Sequence, residues 1–156
     1  MTGRILLPLL PLAVGIAVPW VRYREAQALR QGVPLTADAM KFAERLGIQK
    51  PEAVRLLQVD AVRAFDAPLL RVPFYFVDRG FRFTAGITLR YAILIRSDFW
   101  NEPSLIAHEL VHVHQYERLG GIAPFLWRYL RECLVDGYSF SQLEQEAVAR
   151  SRDPAA

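Results

Sequence analysis

The sequence predicts an α+β domain, because helical signals occupy both ends of the chain and strand signals lie between them. Its 156 residues are enough for one compact domain. Hydrophobic residues make up 53% of the chain and charged residues 22%, so the chain has the side chains for a core. Helices followed by strands and then helices differ from the alternation that builds a parallel βαβ sheet.

Charge and cysteine content argue against nucleic-acid binding, an internal disulfide and a nucleophilic cysteine. The net charge of +3 comes largely from scattered arginines that form no block with interleaved aromatic residues, so nothing favours nucleic-acid binding. The single cysteine, Cys133, excludes an internal disulfide. It lies in a helical pattern, which favours a buried thiol over a nucleophile.

An uncharged run, ILLPLLPLAVGIAVPW, occupies residues 5–20. It is shorter than the roughly 20 residues of a membrane-spanning helix. Prolines argue against an uninterrupted helix here: Pro8, Pro11 and Pro19. We therefore treat residues 1–22 as a separate apolar segment and residues 23–156 as the domain.

Three interpretations of this segment stay open. The first is a signal peptide, with Gly15 and Ala17 as the small residues before a cleavage site. The second is an apolar arm packed on the domain. The third is a membrane-surface anchor whose flanking arginines face headgroups: Arg22, Arg24 and Arg30. We rank surface association first and predict a membrane-associated protein, with cytoplasmic and secreted locations as alternatives.

Helix and strand signals follow in order along the next part of the chain. YREAQALRQG (23–32) has helical periodicity and ends at a glycine. A second helix is predicted over 37–46, with Thr36 as N-cap and Gly47 as its stop. A strand is predicted next, after a proline-initiated turn, at Val54, Leu56 and Val59.

Two further strands are predicted before the chain turns helical again. VPFYFVDRG (72–80) is short, aromatic and β-branched. FTAGITLRYAILIRS (83–97) has the strongest strand signal. Alternation predicts that five of its side chains share one face: Ile87, Leu89, Tyr91, Ile93 and Ile95.

Three helices are predicted from residue 101 onward. The first has Pro103 in its first turn and stops at Gly120–Gly121. The second, IAPFLWRYLRECLVDG, ends at Gly137. The third, SQLEQEAVARS, has Ser141 and Glu144 at the spacing of a capping box.

The first of these helices carries HELVHVHQY (108–116), which contains all three histidines of the chain. His108 and His112 are four residues apart, so their rings project from one helix face a turn apart. That is the separation at which two imidazoles bind one tetrahedral Zn²⁺. Glu109, beside the first histidine, is then placed to reach a metal-bound water.

The remaining residues of the motif fall on different faces of the helix. His114 lies roughly 200° around the axis from His112, so we interpret it as a surface histidine outside the metal site. Gln115 is seven residues after His108 and returns to the metal face, where it can hydrogen-bond a metal-bound histidine.

A site of this kind needs a third protein ligand beside the water position. The other histidine faces away and the only cysteine is predicted to be buried, so this ligand must be a carboxylate. The last helix offers Glu144 and Glu146, and the residues alone leave both open.

HELVH with the later LEQEA (143–147) resembles the gluzincin class of zinc metallopeptidases. More narrowly, the chain is similar, over residues 84–150, to small bacterial HExxH domains with HELxHxxQ, a following GY and ExEA. The resemblance implies a zincin-like fold. The gluzincin pattern ExxA maps onto Glu144 and Ala147, so it favours Glu144 as the third ligand. Glu146 is then a solvated surface charge, and Val148 stands where the family usually carries an aspartate.

The resemblance implies zinc-dependent hydrolysis of a peptide or protein substrate. His108, His112 and Glu144 would hold the Zn²⁺ cofactor, and Glu109 would take the proton of the activated water and pass it to the leaving amine. Tyr138 is a candidate donor to a developing oxyanion, with a half-buried core tyrosine as the equal alternative. The strand before the metal helix would pair with extended substrate.

A non-catalytic protein is the alternative from another class. In that hypothesis a structural or vestigial metal site only joins the C-terminal helices of a zincin-like interaction module at the membrane surface. Closed structural zinc sites use four protein ligands, whereas this sequence offers three, which favours the open site of an enzyme.

Overall fold

The computed structural model describes residues 2–62 and 85–152, with the backbone alone for residues 2–5. The α+β class is confirmed, because five α-helices accompany one mixed four-stranded sheet in these ranges. The helices are α1 (Leu10–Gln31), α2 (Ala37–Leu46), α3 (Pro103–Leu119), α4 (Ile122–Val135) and α5 (Gln142–Arg150). The strands are β1 (Val33–Pro34), β2 (Arg55–Val59), β3 (Gly86–Leu89) and β4 (Ala92–Arg96). The strand predicted over 72–80 lies outside the described residues.

The sheet has the order β1-β2-β4-β3. The parallel pair β2–β4 lies at its centre, with Arg55 opposite Ala92 and Val59 opposite Arg96. The outer pairs β1–β2 and β3–β4 are antiparallel. Helices cover both faces: α1 and α4 share a core with Leu94, whereas α2 and α3 share a second core with Ile93 and Ile95.

The single strand predicted over 83–97 is wrong, because its described part, residues 85–97, contains the hairpin β3–β4 with a two-residue turn at Arg90 and Tyr91. Arg90 has a φ of 62°, a conformation that Gly, Asn and Asp adopt most readily, so no residue type marks this turn in the sequence. Tertiary contacts hold the turn instead: the Tyr91 amide donates to Oε1 of Glu25 at 3.2 Å. Leu89 and Ile93 consequently pack in different cores.

Helix α1 also differs from the prediction, because it begins at Leu10 and runs through Pro19 without a break at residue 22. Pro11 lies in the first turn, where a missing N–H removes no helical hydrogen bond. Packing holds the helix across Pro19, since its buried positions recur at helical spacing: Leu10, Ala13, Val14, Ala17, Val21, Glu25 and Ala28.

By length and hydropathy, the helical stretch Leu6–Gln31 is the one part of the described chain that could cross a membrane. A signal sequence near an N-terminus has the same features. Only 28% of its most apolar window is buried inside the protein, and the rest of that window is partly buried or exposed.

The other helices have the predicted ends. Thr36 caps α2 by accepting from the Ala39 amide at 3.3 Å, and Gly47 ends it with a φ of 81°. Helix α3 begins at Pro103 and ends before Gly120, which has a φ of 94°. Helix α3 contacts β3 at the edge of the sheet, and α5 packs against α3. The HELVH face of α3 therefore lies between the sheet edge and the last helix.

Candidate metal centre

Three predicted ligands come together where α3 meets α5. His108 and His112 project from α3 one turn apart, and their Nε2 atoms are 3.2 Å from each other. Glu144, in the first turn of α5, places Oε2 3.4 Å from Nε2 of His108. Its Oε1 lies 3.4 Å from Nε2 of His112. One donor atom from each of the three side chains thus lies within 4.8 Å of the other two.

These distances fit a single metal ion. Tetrahedral coordination with bonds of about 2.0–2.1 Å places neighbouring donor atoms about 3.3–3.4 Å apart. The two imidazole nitrogens are 3.2 Å apart, and each lies 3.4 Å from a different oxygen of Glu144, so each separation is close to that spacing. Two imidazoles and one carboxylate also suit a borderline transition metal. The cluster can therefore hold a metal ion.

Gln115 determines which nitrogen of His112 faces this cluster. Its Nε2 donates to the backbone carbonyl of Leu143 and to Oε2 of Glu146, both at 3.0 Å. Its Oε1 is thereby directed at Nδ1 of His112, 2.8 Å away. An oxygen can only accept, so Nδ1 carries a proton and Nε2 is left to bind a metal. The predicted hydrogen bond of Gln115 to a metal-binding histidine is present.

Glu146 supports Gln115 and is not the solvated charge that the sequence suggested. Its side chain is 24% exposed and accepts a two-pronged contact from Arg118, at 2.7 and 2.8 Å. Arg150 adds a further contact at 3.3 Å. The Arg118 guanidinium holds the pKa of Glu146 down to about 2, so the carboxylate stays charged and accepts from Gln115.

Glu144 combines a helix cap with its place in the cluster without conflict. Its backbone amide donates to Oγ of Ser141 at 3.2 Å, so the cap leaves the carboxylate free. The buried hydroxyl of Tyr129 donates to Oε1 of Glu144 at 2.6 Å. Burial raises the pKa of Glu144, but hydrogen bonds from His108 and His112 outweigh it and hold the pKa well below its usual range.

Glu109 lies beside the three ligands and contacts β3. It is 4% exposed, and Thr88 donates its hydroxyl to Oε2 at 2.7 Å. Gly86 stands so close that a Cβ there would lie 2.9 Å from Oε1 of Glu109. The sequence did not identify Thr88 or Gly86 as site residues, because only the tertiary fold brings β3 against α3.

Two spaces meet at the cluster. A cavity of about 60 Å³ extends from it to Trp20 and Val21 of α1. An outer cleft, lined by Gly86 and Arg152, also reaches it. Tyr138 lines both spaces, and burial together with the Glu144 charge raises its pKa. The sequence missed Trp20 and Val21, because residues 1–22 were assigned to a separate segment.

The remaining predicted positions lie away from the donor atoms. His114 is half-buried on the α2 side of α3, where its ring lies 3.9 Å from an ideal Cβ at Gly47. Burial lowers the pKa of His114, and its Nδ1 has no hydrogen-bond partner within the described residues. Val148 is 47% exposed and lines the outer cleft.

Comparisons of the chain with protein-family models, with curated proteins and with solved structures gave no significant match.

Proposed function

We propose that the protein is a zinc-dependent metallopeptidase of the gluzincin type, with a zincin-like fold. One observation carries the proposal: the donor atoms of His108, His112 and Glu144 fit one tetrahedral ion, and the buried carboxylate of Glu109 lies beside them. Three protein ligands leave the fourth position open for a water or a substrate.

A zinc ion held by these three residues would polarise a peptide carbonyl and lower the pKa of a bound water. Glu109 is the base in this proposal. Thr88 engages Oε2, so Oε1 is available to take the proton and to pass it to the leaving amine. Tyr138, at the junction of the cavity and the cleft, would donate to the developing oxyanion.

The edge strand β3 would hold an extended substrate. The Arg96 amide donates to the carbonyl of Ala85 at 2.8 Å, which makes Ala85 a position bonded to β4. Backbone groups alternate along an antiparallel strand, so those of Gly86 and Thr88 point away from β4, to an edge that no strand of the described residues covers. The Thr88 carbonyl accepts from Tyr116 at 3.3 Å, whereas Gly86 lies on the outer cleft. Main-chain pairing at Gly86 would bind a peptide with little sequence selectivity.

Cleavage of a peptide mixture tests this function. Full-length protein loaded with zinc should produce new peptide termini, detected by mass spectrometry, and Glu109→Gln should keep its zinc and lose nearly all turnover. An amide cannot accept the proton, yet it preserves the shape and an acceptor for Thr88. Equal turnover, or equal rescue of a deletion phenotype, by the wild type and Glu109→Gln would exclude the peptidase.

The small size of the cavity that reaches α1 favours a second candidate function. Ligand pockets usually measure about 300–1,000 Å³. This cavity has about 60 Å³, so an extended substrate would have to lie in the outer cleft. The second candidate is a non-catalytic domain in which a structural or vestigial metal joins α3 and α5. In that case Glu109→Gln would change neither metal content nor phenotype.

We also propose that the protein is associated with a membrane. Support comes from the apolar helical stretch Leu6–Gln31, of whose apolar window only 28% is buried inside the protein. Fractionation of cells producing the full chain would test this localisation, and recovery only in the cytoplasmic fraction would contradict it.

A further inference from the structure

Helix α1 has two faces of different character. Its inner face is in the core, where Ala17 is 0% and Val21 is 1% exposed. The outer face of its first half carries no charge, and Leu12 there is 64% exposed. Three other residues of this half are exposed: Pro11, Gly15 and Pro19. We call these four residues the apolar outer face.

The outer face of the second half of α1 has basic and aromatic side chains. Arg22 and Arg30 are exposed, and Tyr23 between them is 62% exposed. Along one helix face, an apolar stretch is therefore followed by two arginines and a tyrosine. Apolar side chains partition into the acyl boundary of a bilayer, whereas arginine and tyrosine favour the headgroup level.

We infer that the apolar outer face, with Arg22, Tyr23 and Arg30, binds the surface of an anionic lipid bilayer, with α1 lying in the membrane plane. The inference rests on the membrane localisation proposed above and specifies the face, the orientation and the lipid charge. A spanning helix would expose all its faces to lipid. Here Leu10, Ala17 and Val21 pack in the protein core, so only the opposite face is available to lipid.

The same helix brings the metal cluster close to the lipid. Trp20 and Val21 on its inner side line the cavity that contains His108, Glu109 and Glu144. An α-helix with its side chains is about 10 Å across, so the cavity lies about one helix diameter from the bound lipid. The substrate class that follows is a polypeptide segment held at the membrane surface.

Substitutions at the single position Gly15 test the lipid contact, because apolar, polar and charged side chains can be compared there. A Cβ added there meets no atom within 4 Å, so larger side chains fit without disturbing the protein. Gly15→Leu should strengthen binding of the full chain to phosphatidylcholine–phosphatidylglycerol vesicles about tenfold, because it adds apolar surface to the contact. Gly15→Glu should weaken the binding by at least as much, and Gly15→Gln should give an intermediate value.

Substitutions of the arginines are the second part of this vesicle-binding experiment, which is read out by flotation of the vesicles. Each basic residue near an anionic surface contributes about fivefold in affinity, so Arg22→Gln and Arg30→Gln should each lose about that factor. Vesicles of phosphatidylcholine alone should bind weakly. Ala37→Glu is the matched control, because Ala37 is exposed on α2, which packs against α3 and lines neither the cavity nor the outer cleft. It should bind vesicles as the wild type does.

Thermal unfolding of each variant, measured on the same samples, shows whether the fold is intact. If Gly15→Glu loses its cooperative transition as well as vesicle binding, Leu12→Glu decides in its place. Equal vesicle binding by Gly15→Leu and Gly15→Glu would overturn the inference. So would no binding to anionic vesicles, or resistance of the bound protein to alkaline carbonate, which marks a spanning helix. Failure of the peptidase assay leaves all these readouts unchanged, so the two proposals fail separately.

Discussion

The side-chain oxygen of Gln115 lies 2.8 Å from Nδ1 of His112 and fixes the ring nitrogen that faces Glu144. The amide of Gln115 is itself fixed by Glu146, whose carboxylate is held by Arg118. One imidazole of the candidate metal site is thus connected to the protein surface through three side chains. Such supporting contacts fix the tautomer of a histidine ligand and raise its affinity for the metal.

The donor cluster predicts one zinc per chain. His112→Ala should abolish binding, because it removes one of three ligands that share a single ion. His114→Ala should leave binding nearly unchanged, since that ring lies on the α2 side of α3. Metal analysis of the purified variants after dialysis would measure both effects. Similar losses from the two substitutions would show that the cluster is not the binding site.

The contacts of Glu144 and Glu146 predict that substitutions at these two residues lower zinc affinity to different extents. Glu144→Ala should reduce zinc affinity more than Glu146→Ala, because it deletes a ligand. Glu146→Ala should still lower zinc affinity about tenfold, since Gln115 then loses one of the two acceptors that orient it. Glu146→Gln, which keeps an acceptor, should lose less.

Competition with a chromogenic chelator would give these affinities. Glu52→Ala, at an exposed position, serves as the matched surface control and should have no effect. A larger loss from Glu146→Ala than from Glu144→Ala would require Glu146 to be the ligand.

The protonation of His112 predicts how zinc affinity depends on pH. Burial lowers the pKa of His112, but the Glu144 carboxylate outweighs it and raises the pKa from 6.5 to about 9 in metal-free protein. Zinc must displace that proton, so the apparent affinity should rise about tenfold per pH unit up to about pH 9 and then level off. Zinc titrations across this range would measure it. Levelling near pH 6.5 would show an ordinary histidine.

The same shift predicts the stability of the metal-free protein. The folded-state pKa of His112 is raised, so the His112–Glu144 contact stabilises the fold fully below pH 6.5. That stabilisation is lost as the pH rises through about 9. Denaturant unfolding of chelator-treated protein would follow the loss, and Glu144→Gln should remove this pH dependence. An unchanged pH profile in Glu144→Gln would contradict the assignment.

The contact between β3 and Glu109 predicts substitutions that affect turnover and spare the metal. Gly86→Ala places a methyl group 2.9 Å from Oε1 of Glu109 and must displace that carboxylate. Thr88→Val removes the hydroxyl that holds Oε2. Both variants should retain zinc and lose at least about tenfold in kcat/KM, because a displaced base no longer meets its proton. Zinc loss in Gly86→Ala would mean that the methyl group disturbs the ligands instead.

The packing of α1 predicts that residues 10–21 are needed for the fold. A chain beginning at Tyr23 would lose Leu10, Val14 and Val21 from the core. Each contributes roughly 1.5–3 kcal/mol when buried, and the total approaches the about 5–15 kcal/mol by which domains are usually stable. Thermal unfolding of the truncated chain should show a large loss or no cooperative transition. A truncated chain as stable as the full one would support a separate N-terminal segment.

Local signals in the sequence predicted the parts of the fold that depend on neighbouring residues. Thr36 and Gly47 marked the two ends of α2 correctly, because a helix cap depends only on the chemistry of adjacent residues. The spacing of His108 and His112 similarly placed two donors on one helix face. The choice of Glu144 over Glu146 depended on resemblance, because the sequence does not show which residue of α5 points at α3.

Features held by distant contacts were not predictable from local patterns. The turn at Arg90 forms because Glu25 of α1 accepts from the Tyr91 amide, and nothing in the sequence marks that partner. The prolines of α1 argued against a helix, yet packing on α4 and the sheet outweighs the hydrogen bond missing at Pro19. The roles of Thr88 and Trp20 likewise depend on which elements meet in the folded chain.

Arg118, at the surface end of the contacts that orient Gln115, has a consequence for the evolution of this protein. Arg118 is 42% exposed and contacts no metal donor directly, so a neutral-looking substitution there would be easy to acquire. It would nevertheless make Glu146 and Gln115 less well ordered, and the affinity of His112 for a metal ion would fall. Selection could therefore adjust metal retention to the zinc supply of a given habitat while the HELVH residues stay the same.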